Sequence, residues 1–314
     1  DSSGEKANIW ATIGPADRPG YILSGHTDVV PVEGQDWRSN PFTLTARDGR
    51  LYGRGSCDMK GFLACCLAQV PAMLAARLAK PLHLAFSYDE EVGCLGVRGL
   101  IAELAEAPVR PEACFVGEPT GMQVVVAHKA KRSFDVEVTG RSCHSSLSPE
   151  GVNAVDYAAM LALEIRRMGE AFAAEGPSDP LFTVPVSTAY TGVLQGGTAL
   201  NIVPDRAFLV FEFRMLPAAG LDTPEEQIRA YARDVLEPAM RRIAPEAGIA
   251  IHTRSDFPGL DTETDAPVVQ LARRLAQRND HGKVAYGTEA GLFAGIAIPT
   301  VVIGPGDIAQ AHRP

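Results

Sequence analysis

One carboxylate, Asp58, stands in the glycine-flanked stretch Gly53-Arg54-Gly55-Ser56-Cys57-Asp58-Met59-Lys60-Gly61, just ahead of a long apolar run. Glycine flanks let a backbone bend sharply and let a ligand approach closely. Four other stretches carry residues of similar type: His26-Thr27-Asp28, Asp89-Glu90-Glu91, Gly117-Glu118-Pro119 and Ala311-His312. Imidazoles and carboxylates without a thiolate suit zinc, and also cobalt or manganese. Three successive carboxylates after an apolar strand are costly to bury unless positive charge sits among them. Two divalent ions would supply that charge, with Asp58 bridging them. One of Glu90 and Glu91 would then be a ligand and the other a general base. His26 and Asp28, two apart on a strand, share a face. A ligating imidazole commonly gives its other N–H to a carboxylate, which puts Asp28 behind His26.

Taken singly these signals are weak, since His-x-Asp is common and an acidic run on a surface helix is a solvated face. Their placement gives them weight. Residues 8–13, 21–23, 82–87 and 112–116 read as strands, and 97–105 as a helix. Residues 59–78 read as a helix apolar on most sides, and so as one buried between layers. His26, Asp58, Glu91 and Glu118 then all lie near strand ends. In an open α/β sheet, strand ends on one edge gather ligands.

The pattern changes after residue 130. Residues 133–139 alternate like a half-exposed strand, and Gly140-Arg141-Ser142-Cys143-His144-Ser145-Ser146 is a small-residue turn carrying one histidine. An amphipathic helix over 153–174 follows. Strands over 183–193 and 207–214 then flank Gly196-Gly197-Thr198-Ala199-Leu200-Asn201. A helix over 223–243 has Pro224 in its first turn and Glu225 and Glu226 near its positive end, and a strand over 249–254 closes the set. The order β-α-β-β-α-β is ferredoxin-like. The expected organisation is a discontinuous metal-binding α/β domain, 1–129 and 258–314, around an inserted domain, 130–257. After the return at Pro258-Gly259, a helix over 268–276 and strands over 283–286 and 299–303 bracket Gly287-Thr288-Glu289-Ala290-Gly291.

The 314 residues carry a net charge of -9, which speaks against a nucleic-acid partner. No apolar stretch is expected to cross a membrane; 296–303 is far too short. Six cysteines form no C-x-x-C pair and read as reduced residues of a cytoplasmic protein. Cys57, beside Asp58, is the one with a case for reactivity. The sequence opens on Asp1 rather than Met, which raises the expectation of a partial chain.

These motifs, in this order, resemble the dinuclear metallopeptidase and amidohydrolase family that includes acetylornithine deacetylase, succinyl-diaminopimelate desuccinylase, carboxypeptidase G and the aminoacylases. The resemblance covers essentially the whole chain. Stretches such as Val126-Ala127-His128-Lys129, Cys143-His144-Ser145-Ser146-Leu147, Gln195–Pro204, Phe211-Glu212-Phe213-Arg214 and Tyr286–Phe293 look like the acetylornithine deacetylase branch. The resemblance implies one metal held by His26, Asp58 and Glu118 and another by Asp58, Glu91 and His312. It makes Glu90 the general base, Asp28 the partner of His26, and the Asp58–Met59 peptide cis. Members usually have a helix before the first strand and another after the last metal histidine. Neither is seen here.

The resemblance also makes His144 an oxyanion donor reaching into the partner subunit's site, in a homodimer formed through the inserted domain; otherwise it is a surface histidine beside a turn. Asn201 assists there or caps its loop. Arg214 clamps a substrate α-carboxylate or makes a structural ion pair. Glu289 reads the ammonium of ornithine or caps a helix. His83, His252 and His281 read as structural, and His128 lies at the domain junction. The implied reaction is removal of the acetyl group from N2-acetyl-L-ornithine, in arginine biosynthesis, by a water between two metal ions with Glu90 as base. The alternatives are a desuccinylase, dipeptidase or other N-acyl-amino-acid hydrolase of the same family, or a non-catalytic amino-acid-binding relative.

Overall fold

A computed structural model describes residue 1 and residues 3–314. The chain divides into two compact units, Asp1–His128 with Phe257–Pro314, and Lys129–Asp256.

The first unit begins with β1 (Ile9–Ile13) and β2 (Tyr21–His26), then a small hairpin of β3 (Thr45–Arg47) and β4 (Arg50–Tyr52). The hairpin turns on Asp48 and Gly49, both at positive φ (52° and 73°), as a two-residue turn requires. Helix α1 (Gly61–Ala75), β5 (Leu82–Ser87), α2 (Val97–Ala105), β6 (Ala113–Val116) and β7 (Val124–His128) follow. The second unit holds β8 (Ala130–Thr139), α3 (Ala154–Glu175), β9 (Thr188–Gly196), β10 (Arg206–Met215), α4 (Asp222–Ala230), α5 (Glu237–Arg241) and β11 (Gly248–Phe257). The chain returns to the first unit with β12 (Leu260–Asp261), α6 (Pro267–Ala276), β13 (His281–Val284), α7 (Ala290–Gly295) and β14 (Thr300–Val302).

The first unit is built on one mixed sheet in the order β1-β5-β2-β6-β14-β7-β12, with β13 also on β7. Its centre is parallel, β5 to β2 to β6 to β14, and β1 closes one edge antiparallel to β5. Central parallel strands are covered on both faces and therefore read as unbroken apolar runs. Ala113–Val116, in β6, is buried at every position.

Helix α1 differs from the sequence expectation. It runs Gly61–Ala75 and buries only Leu63 and Cys66, against Ile13, Leu84 and Phe86. Leu67 and Leu74 are exposed, because only one narrow stripe of a helix that is apolar all round meets the sheet. With the preceding turn, Ser56–Ala75 is also long and apolar enough to cross a membrane by length and composition, where the sequence reading expects no such stretch. That segment is no single helix, since Asp58 and Met59 have non-helical backbone angles, and it opens on the buried carboxylate of Asp58.

The second unit has the strand order β11-β8-β10-β9, which in its own numbering is 4-1-3-2, the ferredoxin-like order. Along β10, Ala207, Leu209, Phe211, Phe213 and Met215 are buried and alternate with more accessible residues. They meet Ala158, Leu161 and Ile165 of α3, Ile228 of α4 and Met240 of α5. Phe134 stacks on Phe211 with ring centroids 4.7 Å apart. Each such fully buried side chain contributes roughly 1.5–3 kcal/mol, so this unit has an apolar core of its own.

Candidate metal centre

The site lies at the C-terminal edge of the parallel strands. His26 is the last residue of β2, Glu90 and Glu91 follow β5, and Glu118 stands two residues beyond β6. The pairing of His26 with Ser87 brings the ends of β2 and β5 level. Asp58 reaches this edge from a turn that needs its glycines. Gly55 has φ 82°, and the Asp58–Met59 peptide is cis. Close packing beneath the site excludes a side chain at Gly117, where a Cβ would meet the Phe62 ring at 2.2 Å.

Two groups of ligand-type atoms result, each within 4.8 Å of one another: His26, Asp58 and Glu118, and Asp58, Glu91 and His312. Asp58 is common to both. Its Oδ1 lies 3.0 Å from His26 Nε2 and its Oδ2 3.1 Å from His312 Nε2. Glu118 Oε1 is 3.7 Å from His26 Nε2, and Glu91 Oε1 is 3.3 Å from His312 Nε2. One carboxylate thus directs its two oxygens at two separate sets of donors. Glu91 Oε1 is buried and faces only the His312 imidazole. Imidazoles and carboxylates gathered around one shared carboxylate are a donor set that fits divalent metal ions.

The electrostatics point the same way. Burial alone would drive the His26 imidazole toward neutrality, but the Asp28 and Asp58 carboxylates outweigh it and hold its pKa well above the usual value. Hydrogen bonds to Asp58 and Glu91 push His312 up to about 10 despite partial burial. Asp58 is pulled well below the ordinary carboxylate range: burial opposes this, and the two imidazoles prevail. Glu118 is pushed well up by burial against the pull of His26, with Glu90 and Asp58 adding to the rise. The protons on the two histidines stand where positive charge is needed, and a metal ion would displace them.

Around this set lie residues that hold it. Nδ1 of His26 is 3.0 Å from the backbone carbonyl of Asp28 and 3.5 Å from Asp28 Oδ1. The Asp28 carboxylate also accepts the backbone N–H groups of Glu90 and Glu91, both at 3.1 Å, and so fixes the turn that carries them. Glu90 is pushed up to about 8, chiefly by burial, and accepts the thiol of Cys94 at 3.4 Å. His312 has φ 61°, and its carbonyl accepts Gln35 Nε2 at 2.8 Å. Gln35 Oε1 in turn accepts Trp37 Nε1 at 3.1 Å and the guanidinium of buried Arg54. Sequence reasoning passes over Cys94 and Gln35. Arg54, in the glycine-flanked stretch, was visible there as part of the motif.

Glu289 corrects an expectation. It is 1% exposed, and Ser24 and Ser87 occupy both carboxylate oxygens. It is therefore not presented to a substrate ammonium, and its side chain does not cap α7.

The remaining candidates belong to the second unit. His144 is exposed, and its Nδ1 accepts the backbone N–H of Ser146 at 3.2 Å. A neutral ring so held carries its proton on Nε2, a donor facing away from that turn. The Asn201 carbonyl accepts the N–H of Ser145 at 3.0 Å, and His144 bridges to Ile202, so the His144 and Asn201 loops adjoin. Arg214 lies on β10 with its Nε 2.6 Å from Glu212 Oε1.

Residues 22–314 match the family described as Peptidase family M20/M25/M40. The chain is 34% identical to an acetylornithine deacetylase of Pasteurella multocida over 321 residues, covering 100% of this chain and 79% of that protein. It is 35% identical to an acetylornithine deacetylase of Yersinia pseudotuberculosis, covering 98% of this chain and 78% of the relative. Among solved structures it is similar to an M20 family metallo-carboxypeptidase of Sulfolobus solfataricus, with TM-score 0.74, 18% identity, and coverage of 98% of this chain and 82% of that one. It also resembles human carnosine dipeptidase 1, with TM-score 0.68, 18% identity, and coverage of 95% and 76%. The chain belongs to the peptidase family M20/M25/M40 and has the fold of a hydrolytic, metal-dependent enzyme.

Proposed function

We propose that this M20/M25/M40 chain removes the acetyl group from N2-acetyl-L-ornithine, giving acetate and L-ornithine for arginine biosynthesis. The observation that carries the amidohydrolase chemistry is the pair of donor groups sharing Asp58, with Glu90 on the same Asp28-held turn as Glu91. The choice of substrate rests on the two relatives of that name.

His26, Asp58 and Glu118 would hold one divalent ion, and Asp58, Glu91 and His312 the other, with zinc suited to the donors and cobalt or manganese tolerated. When bound, the ions supply Lewis acidity to the amide carbonyl and to a water. Glu90 takes the proton of that water on a carboxylate oxygen and later gives it to the departing amine. Asp28 orients His26 and fixes the backbone under Glu90. His144 donates its Nε2–H to the oxyanion of the partner subunit's substrate, Asn201 supports that loop, and Arg214 receives the α-carboxylate.

The homodimer in this reading is supported by the edge of the second unit. β9 ends its sheet, and exposed Tyr190 and Leu194 border a groove with Leu163 of α3. An apolar edge strand of this kind invites pairing with a second copy. All six cysteines are free, which supports a cytoplasmic location.

The test is a substrate panel on chelator-stripped protein, with zinc or cobalt restored. N-acetyl-L-ornithine, N-succinyl-diaminopimelate and a dipeptide are compared. Metal-restored turnover of the acetyl substrate is expected. Turnover of another substrate alone would overturn the substrate and keep the metal chemistry.

A further inference from the structure

Glu289 lies outside both donor groups, yet it is a buried carboxyl with a defined pair of partners. Its Oε1 accepts Ser24 Oγ at 2.6 Å and its Oε2 accepts Ser87 Oγ at 2.8 Å. All three side chains are at most 2% exposed. Ser24 is on β2, two residues before His26 and on the same face. Ser87 ends β5, just ahead of the turn carrying Glu90 and Glu91. The two strands are parallel neighbours, with His26 in register with Ser87. One carboxyl therefore spans two strands at the level where the imidazole and the acidic turn leave the sheet.

The fold alone does not call for a carboxyl at this place. Ala290 and Phe293, which follow it in α7, belong to an apolar cluster with Ile22, Ala85 and Val116. An apolar side chain would extend that cluster, whereas an ionisable group taken out of water costs several kcal/mol unless its partners compensate. Two serine hydroxyls are modest compensation for a charge. A carboxyl does offer two acceptors from one planar group, which an apolar residue cannot.

We propose that Glu289 is a positioning residue whose carboxyl clasps Ser24 to Ser87 and so sets the spacing of His26 against Glu90 and Glu91. This rests on the reading of His26 and Glu91 as metal ligands and Glu90 as base. Groups that orient metal ligands from behind typically alter metal affinity 10- to 100-fold when removed. Glu289 acts one step further back, so an effect of about tenfold is expected.

The experiment is a Co2+ titration of chelator-stripped protein followed by visible absorption, with kcat and KM for N-acetyl-L-ornithine in parallel. Glu289→Leu keeps the volume and removes both bonds. It is expected to bind Co2+ about tenfold more weakly than wild type, with a shifted absorption band and a lower kcat at little-changed KM. Glu289→Gln can still bond both serines, because either hydroxyl can reverse, and should restore most of the affinity and the band. The double variant Ser24→Ala with Ser87→Ala should reproduce Glu289→Leu. If Glu289→Leu does not fold, Ser24→Ala alone decides the matter, because it leaves the carboxyl one donor, and it should show part of the same loss. Wild-type affinity and band in the double variant would overturn the clasp alone. A wild-type chain that takes up no Co2+ would overturn the metal-centre reading and the clasp with it.

Discussion

Among the described residues, the buried acids and imidazoles all belong to the first unit; in the second, Lys129 is the one buried charged group. The two units solve different physical problems. The second is an ordinary sheet-and-helix core, with Phe134, Phe211 and Phe213 packed ring against ring and His144 on an exposed turn. The first places Asp58, Glu118, His26 and Glu289 where water is scarce, each tied to another ionisable group or to a hydroxyl. Charges that stabilise only one another should fail together, whereas an exposed histidine should be removable alone.

Four substitutions or conditions probe that contrast. The largest effect is expected for Glu90→Gln, which removes the base and keeps the shape. It should lower kcat by about 10²–10⁴ without changing the number of ions bound, measured by steady-state kinetics and metal analysis. Loss of metal along with activity would make Glu90 a ligand instead. His144→Ala comes next, with a fall in kcat of about 10²–10³, as for one oxyanion donor, and an unchanged thermal midpoint. Mixing His144→Ala with Glu90→Ala protomers should regain part of the activity through hybrid dimers, and an inactive mixture would count against a shared site.

The third effect is on stability. In the metal-free protein, His26 is raised and His312 stands at about 10. A group with a raised folded pKa stabilises fully below its unfolded value, ~6.5 for histidine, and loses that contribution as pH rises through the folded value. Glu90, raised to about 8, has the same sign. The thermal midpoint of chelator-treated protein should therefore fall between pH ~6.5 and ~10. Metal-loaded protein should show a smaller fall, because ions replace the protons. Equal slopes would break the argument. The smallest effect is expected for Gln35→Ala, which frees the His312 carbonyl and takes an acceptor from Trp37 and Arg54, at a cost of about 1–3 kcal/mol. It should weaken one ion's affinity and leave the other's, a difference that sequential metal titration resolves.

Much of the first unit can be read in the chain because strand ends announce themselves. An apolar run stops, a glycine follows or a carboxylate appears, and this recurs at His26, Glu91 and Glu118. That this unit is an α/β sheet follows from those same runs, whereas the antiparallel pairing of β1 with β5 and of β7 with β14 does not. Other features depend on partners far away in sequence. Gln35 bonds the carbonyl of a residue 277 positions on, and nothing local to Gln35 marks it. Glu289, after a Gly-Thr pair, reads as a substrate contact or a helix cap, and only the serines 265 and 202 residues before it show that it is buried. Helix α1 misleads in the opposite sense. Apolar on every side, it reads as buried, yet periodicity cannot say which stripe meets the sheet. The Asp48-Gly49 turn is a missed local signal, since such a pair between short alternating runs marks a hairpin.

In the proposed mechanism Asp58 serves two metal ions at once. The direct measurement is isothermal titration of chelator-stripped wild-type and Asp58→Ala protein with Co2+, followed by hydrolysis of N-acetyl-L-ornithine at each point. Two ions per wild-type chain are expected, with at most one weakly held ion in Asp58→Ala and no restored activity in the variant. Two ions bound tightly by Asp58→Ala, or full wild-type activity without added metal, would contradict it.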